Sequence, residues 1–434
     1  MIAIALVDLQ HDFGVGFADV SWLVSSYYLG SAIGQPIAGR LGDLYGRRRA
    51  FMSGLAIVGL SSVAASLAPT LALLLTARVV QALGSSALFP AGVGILRHTL
   101  KDRQTQALGV LSIFASVSAG LGPTLGAFLV GWHGWRLLFL ANVPIVAVAL
   151  VLAWRTLPLD GPPSVPRPAG PAGVAREVDL RGAALFAGSL FCVLWFLLSL
   201  EHTPAWWAVP VALAGWALFV RAELAAKDPF IDLRTLATNR PLVVVYVQFA
   251  AVNVVFYSVF FGIPSYLQAA RHFSVEKTGL VMLVVAGLGV VTTPIAARMI
   301  DRVGIRPPLL LGASLMAVGT ALLLTLQAGT STAWLVVVLT VIGASVGFNN
   351  LALQSALYRS APPDRISAAS GLFMTSRYMG TILSASLLGL VFGRAIGAPQ
   401  LHVVATVLLV LSVVILVATA RARVFSAAAP QAAG

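Results

Sequence analysis

Apolar residues run through this chain in long stretches, broken at intervals by short polar or basic clusters and by Pro/Gly pairs. Arg78–Leu96, Leu138–Ala153, Leu242–Leu267 and Leu335–Leu357 are each near or above the roughly 20 residues that cross a bilayer as helix. Reading the breaks as span ends predicts fourteen helices, over 1–10, 20–38, 51–68, 71–96, 105–130, 135–153, 181–200, 205–220, 241–262, 278–297, 308–327, 333–356, 366–392 and 400–420. The pattern is that of an all-α polytopic membrane protein. The first span is short, because Met1 stands too few residues before the polar stretch Asp8–Asp12 for a full crossing. A start upstream of Met1 and a true stub helix both fit.

Composition agrees. Of 434 residues 59% are hydrophobic and 10% charged, against about 25% charged in soluble domains. The net charge of +13 does not point to nucleic acid, because the basic residues recur in small clusters between spans. With the N-terminus inside, only Arg136, Arg271, Lys277 and Arg394 fall in outer loops, and Arg78 and Arg377 within spans. The rest of the 28 basic residues lie on the inner side. That bias predicts an inner, cytoplasmic membrane with both termini cytoplasmic. The single cysteine, Cys192, excludes an intrachain disulfide. Scattered histidines and the lack of a Walker A motif argue against an enzyme, and no metal or cofactor is expected.

The predicted organisation is a six-helix bundle over 1–153, a Pro/Gly-rich linker over 154–180, two extra spans with their loop over 181–240, a second six-helix bundle over 241–420 and a tail over 421–434. An internal echo supports the two bundles. "GRLGDLYGRRR" (Gly39–Arg49) aligns with "ARMIDRVGIRP" (Ala297–Pro307), placing Arg40 on Arg298, Asp43 on Asp301, Gly46 on Gly304 and Arg48 on Arg306. Repeats of this kind build many transporters. A glycine-bounded turn with an acid and arginines suits a conformational latch made by Gly39, Asp43, Gly46, Arg47, Arg48, Asp301, Gly304 and Arg306. Asp43 would pair with a neighbouring arginine or face a helix N-terminus. For the arginines, setting topology is the plainer alternative.

The first copy resembles the cytoplasmic loop signature of the major facilitator superfamily. "RVVQALGSSA" (Arg78–Ala87) is similar to that family's fourth-span motif. "GLGPTLGA" (Gly120–Ala127), with Gly109, resembles the fifth-span antiporter motif, and "WHGWRLLFLANVP" (Trp132–Pro144) the following turn of drug exporters. With two extra central spans, "DPFIDLRTLATNRP" (Asp228–Pro241) and "SAASGLFMTSRYMGTILSASLLG" (Ser367–Gly389), the chain looks like the fourteen-span drug:proton antiporters of the EmrB/QacA type.

The resemblance implies a major facilitator fold and a secondary transporter that exports lipophilic small molecules by proton antiport with alternating access. A narrow-specificity metabolite or solute transporter stays open as the alternative. It gives Arg78 a part in proton exchange, with Asp8 as the acid nearest a cavity, and Gly109, Gly122, Pro123 and Gly126 a part in sealing the inner pathway. Snorkelling of Arg78 and a purely structural kink are the competing readings. Cavity candidates are Tyr27, Tyr28, Phe114, Gln248, Asn253, Tyr257, Asn349, Asn350, Gln354 and Arg377, each also explicable as an interhelical bond or packing. Partners are the small-molecule substrate, protons and the lipid bilayer. A periplasmic adaptor is left open.

Overall fold

The computed structural model describes residues 2–99, 118, 122, 124–160, 179–199, 203–226, 229–231, 233–361, 366–393 and 395–422. Every regular element in them is helical. α1 is Leu6–Phe13, α2 Phe17–Tyr45, α3 Arg47–Ser66, α4 Leu71–Ser86 and α5 Leu88–Thr99. After residues 124–133, also helical, come α6 Arg136–Leu140, α7 Asn142–Thr156, α8 Leu180–Ser199, α9 Ala208–Ala225 and α10 Leu233–Thr238. α11 is Arg240–Ala269, α12 Val275–Val303, α13 Arg306–Leu323, α14 Thr332–Ser360, α15 Ile366–Phe392 and α16 Ala398–Arg421.

Among the described residues, ten helical segments are long and apolar enough to cross a membrane. Lipid offers no hydrogen bonds, so a spanning segment must satisfy its backbone internally, and helices do so. Several starts are written in the sequence. The side chains of Thr70, Asn239, Ser274 and Ser331 accept from backbone N–H groups in the first turns of α4, α11, α12 and α14.

The structure corrects several expected boundaries. The second span and its loop are one helix, α2, that runs on through Gly39 and stops at Tyr45, so Gly39 lies in a helix and not in a turn. The fourth expected span is two helices that meet at Ala87, and the sixth is two that meet at Ala141. At the N-terminus a 3-10 turn, Ile2–Ile4, precedes α1, which closes on Gly14 in the left-handed conformation.

The chain divides into two compact units. One comprises Met1–Ala18, Ser112–Trp132 and Asn239–Gly434, the other Asp19–Leu111 and His133–Thr238. In the first, α11 packs on α15 and α16, α14 packs on α12 and α13, and α13 packs on α16. Among its candidate spans α11 is the most enclosed, 61% buried over its most apolar window. In the second, α3 packs on α4, α5, α6 and α7, and α8 pairs with α9. Small residues let these helices approach closely, as in membrane bundles generally: a Cβ on Gly54 of α3 would stand 2.7 Å from the Gly84 carbonyl of α4.

Candidate functional site: two arginine-anchored turns and two membrane arginines

The break between α2 and α3 is a single residue. Gly46 has φ 109° and ψ 136°, a region open to glycine and costly to any other residue. A helix start leaves backbone N–H groups without intrahelical partners, and Gly46 has no side chain to cap them. An acid from far along the chain does it instead. Asp160 accepts from the backbone N–H of Arg48 through Oδ1 at 2.8 Å and of Arg49 through Oδ2 at 3.1 Å. Its negative charge also lies at the positive end of the α3 dipole. A Cβ on Gly46 would overlap the Asp160 carboxylate, so the turn needs glycine for space as well as for φ. The Arg48 guanidinium donates from Nη2 to the Trp154 carbonyl in the last turn of α7, at 2.6 Å. Beneath this polar junction α3 and α7 share an apolar core of Leu55, Val146 and Ala153, with Phe51, Met52 and Leu150 against it.

Asp160 is the residue that sequence reasoning missed. It sits in the Pro/Gly-rich segment taken as an unfolded linker, and nothing in its spacing ties it to Arg48. Its one visible signal is that it is an acid in a chain with only 15. Asp43, the acid expected to hold the loop, lies near the end of α2, and its side chain is outside the described residues.

The second copy repeats the turn. Gly304, φ 85°, ends α12, and Arg306 starts α13. Arg306 Nη2 donates to the Ala420 carbonyl near the end of α16, at 2.5 Å. The aligned arginines Arg48 and Arg306 therefore each bond a carbonyl near the C-terminal end of a helix in their own unit. Asp301 is exposed on the last turn of α12, and Arg47 is part-buried at the start of α3.

Arg78 stands inside one of the ten candidate spans, and Arg377 near the middle of α15. Arg78 on α4 donates from Nη1 to Gln81 Oε1 at 2.6 Å. The Gln81 amide donates to Ser62 Oγ on α3 at 2.7 Å. The guanidinium lies over the Tyr27 ring, 4.0 Å from its centroid, and the Tyr27 hydroxyl bonds Ser85 Oγ at 2.9 Å. A charge in an apolar bundle is thus held by a cation–π contact and an amide relay. Arg377 on α15 donates through Nε and Nη2 to the Tyr257 hydroxyl on α11, at 3.1 and 2.7 Å. Tyr257 is buried among Phe256, Phe260 and Phe261.

The other candidates are dispersed. Gln248, Asn253 and Asn349 are buried: the Gln248 amide donates to Thr419 Oγ1, and the Asn253 and Asn349 amides donate to the carbonyls of Phe249 and Ser345 in their own helices, while Gln248 Oε1 and Asn349 Oδ1 have no hydrogen-bond partner among the described residues. Asn350 is exposed, Gln354 is part-buried, and Tyr28 sets its ring edge-on to Tyr27. Gly122 and Gly126 are helical, while Gly109, Phe114 and Pro123 lie outside the described residues. Asp8 is part-buried in the first turn of α1, a helix of 8 residues and so too short to span. No cluster of metal-ligating side chains occurs among the described residues.

Ten helical segments apolar enough to span a bilayer, in two units with a repeated arginine-anchored turn, are the architecture of a polytopic membrane protein. The chain belongs to the Major Facilitator Superfamily, whose family model matches residues 1–385. It is 42% identical over 410 residues to the uncharacterized MFS-type transporter YwoD of Bacillus subtilis, covering 94% of this chain and 90% of that one. It is 29% identical over 406 residues to the multidrug resistance protein Stp of Mycobacterium tuberculosis, covering 92% and 73%. To the tetracenomycin C resistance and export protein of Streptomyces glaucescens it is 28% identical over 410 residues, again covering 92% and 73%. Among solved structures, a peptide transporter POT variant in complex with alafosfalin superposes with a TM-score of 0.72 at 17% identity, covering 98% of this chain and 92% of that one. That likeness is one of fold. Family and structural neighbours are transporters, not enzymes.

Proposed function

We propose that this protein is a proton-driven exporter of lipophilic small molecules, of the fourteen-span drug:proton antiporter type, in the cytoplasmic membrane with both termini inside. Its bundles are 1–153 and 241–420, joined by the linker 154–180 and the extra pair 181–240, with the tail 421–434 following. The observation that carries the reading is the Arg78 station, in which a guanidinium inside the membrane is held by the Tyr27 ring and the Gln81–Ser62 relay. A fixed cation over an aromatic face gives an apolar substrate a surface to stack on. It also responds electrostatically to protonation nearby, which coupling requires. Relatives named for multidrug resistance and for tetracenomycin C resistance and export support the substrate class.

The proposed coupling group remains Asp8 with Arg78, and the turns at Gly46 and Gly304 serve as latches between transport states. The Arg377–Tyr257 pair favours a second reading, a narrow-specificity transporter of an anionic solute, because a guanidinium and a phenol together suit a carboxylate.

The test uses everted vesicles with an imposed proton gradient. Arg78→Ala lowers proton-linked accumulation of a lipophilic uncharged dye by at least about tenfold, the factor that a loss of about 1.4 kcal/mol produces, while Arg377→Ala lowers it less. Dye transport by Arg78→Ala at the wild-type rate rejects the proposal. A susceptibility panel in an efflux-deficient host separates the two readings, since a broad exporter protects against several unrelated drugs.

A further inference from the structure

The α8–α9 hairpin carries a buried acid that neither the family resemblance nor the transport reading uses. Glu223, in the last turn of α9, is 1% exposed. Its Oε2 accepts from the backbone N–H of Ile231 at 2.9 Å. Its Oε1 is buried and has no hydrogen-bond partner. Facing it is Asp179, just before α8, held at a φ of 46° that few non-glycine residues adopt. Asp179 Oδ1 accepts from Gly182 N at 3.0 Å and Oδ2 from Phe230 N at 2.9 Å. A Cβ on Gly182 would overlap both Glu223 Oε1 and Asp179 Oδ2. The two carboxyls thus face one another in the space that the missing side chain leaves.

Two carboxylates in such a site repel, and an orphan buried oxygen is costly. One proton removes both difficulties: protonated at Oε1, Glu223 donates to Asp179 Oδ2. Among the described residues no basic side chain is paired with either carboxyl. Arg181 and Arg221 are exposed, and the Arg234 guanidinium donates to the Leu224 carbonyl. Among the described residues the charged group facing Glu223 is Asp179. Lys227, Asp228 and Asp232 of the same loop lie outside the described residues.

We propose that Asp179 and Glu223 form a proton-binding clamp: with one shared proton they hold the backbone of Phe230 and Ile231 against the hairpin, and loss of that proton releases it. The Phe230 ring also packs at a tilt against Phe186, centroids 5.7 Å apart, so release frees a segment that leads through α10 into α11. The sign follows from proton counting. The closed clamp binds a proton that the two acids, separated in water, give up at neutral pH, so closing takes up a proton and rising pH opens it.

Hydrogen–deuterium exchange at the Phe230 and Ile231 amides of the full chain in nanodiscs tests this, corrected for the intrinsic pH dependence of exchange, from about pH 6 to about pH 9. Wild-type protection falls by about tenfold per pH unit once the shared proton is lost. In Glu223→Gln the amide donates to Asp179 at every pH, so protection stays high and flat. In Gly182→Ala the inserted methyl parts the carboxyls and protection is low throughout. Wild-type protection independent of pH, or a Glu223→Gln profile that follows the wild type, overturns the proposal. The wild-type profile alone decides the matter if either variant fails to fold.

Discussion

The turns at Gly46 and Gly304 come from aligned stretches of sequence, and both bond a motif arginine to the end of another helix in their own unit. They differ in how the new helix is capped. After Gly46 the residues are Arg47, Arg48 and Arg49, all with backbone N–H groups, and Asp160 accepts from the last two. After Ile305 they are Arg306, Pro307 and Pro308. Proline has no N–H, so the second and third positions of α13, counted from its first residue, have no donor where Asp160 serves those positions of α3. One half meets the demand with a distant acid, and the other reduces it. The comparison shows that the shared motif specifies the turn and the arginine anchor, while the cap is solved separately in each half.

The largest effect expected from breaking this comparison is at Gly46. Gly46→Ala forces an alanine into a glycine-only region and against the Asp160 carboxylate, costing about 3 kcal/mol. Gly304→Ala meets the φ penalty of about 1–2 kcal/mol. Apparent Tm in detergent should therefore fall further for the first, and equal shifts would deny Asp160 a place against Gly46. Next comes Asp160→Ala, which uncaps α3 at a cost of about 1–2 kcal/mol. In an Arg49→Pro background, which brings in the other half's solution, the same change should cost measurably less. A double-mutant cycle that closes to zero coupling would refute the capping role. The smallest pair is Arg48→Ala and Arg306→Ala, each losing a charged bond to a helix-end carbonyl worth about 0.5–1 kcal/mol. Both should lower the apparent Tm, and no shift in either would deny that arginine an anchoring role.

Much of this was legible from the chain. The run of apolar segments marks a helical membrane protein, and the echo of Gly39–Arg49 in Ala297–Pro307 points to the two turns. Arg78 and Gln81, one helical turn apart in a motif, do bond each other. Polar residues on enclosed helices say less about their role. Gln248, Asn253 and Asn349 read as cavity-lining because they interrupt apolar spans. A buried amide can also bond a neighbouring hydroxyl or its own helix's carbonyls, and periodicity does not distinguish that from an open face. Glu223 escaped notice for the opposite reason: an acid at the end of a span looks like an ordinary loop charge until its surroundings are known.

What the sequence determined by itself was local: which segments are apolar enough to enter a bilayer, where glycine permits a break, and which helix starts carry their own caps. These follow from transfer free energy and from backbone sterics within a few residues. What only the tertiary structure decided were the pairings between positions far apart, Asp160 with Arg48 and Arg49, Arg306 with Ala420, Arg377 with Tyr257 and Asp179 with Glu223. Such pairings depend on which helix ends the packing of whole helices brings together, and no periodicity along the chain records that distance.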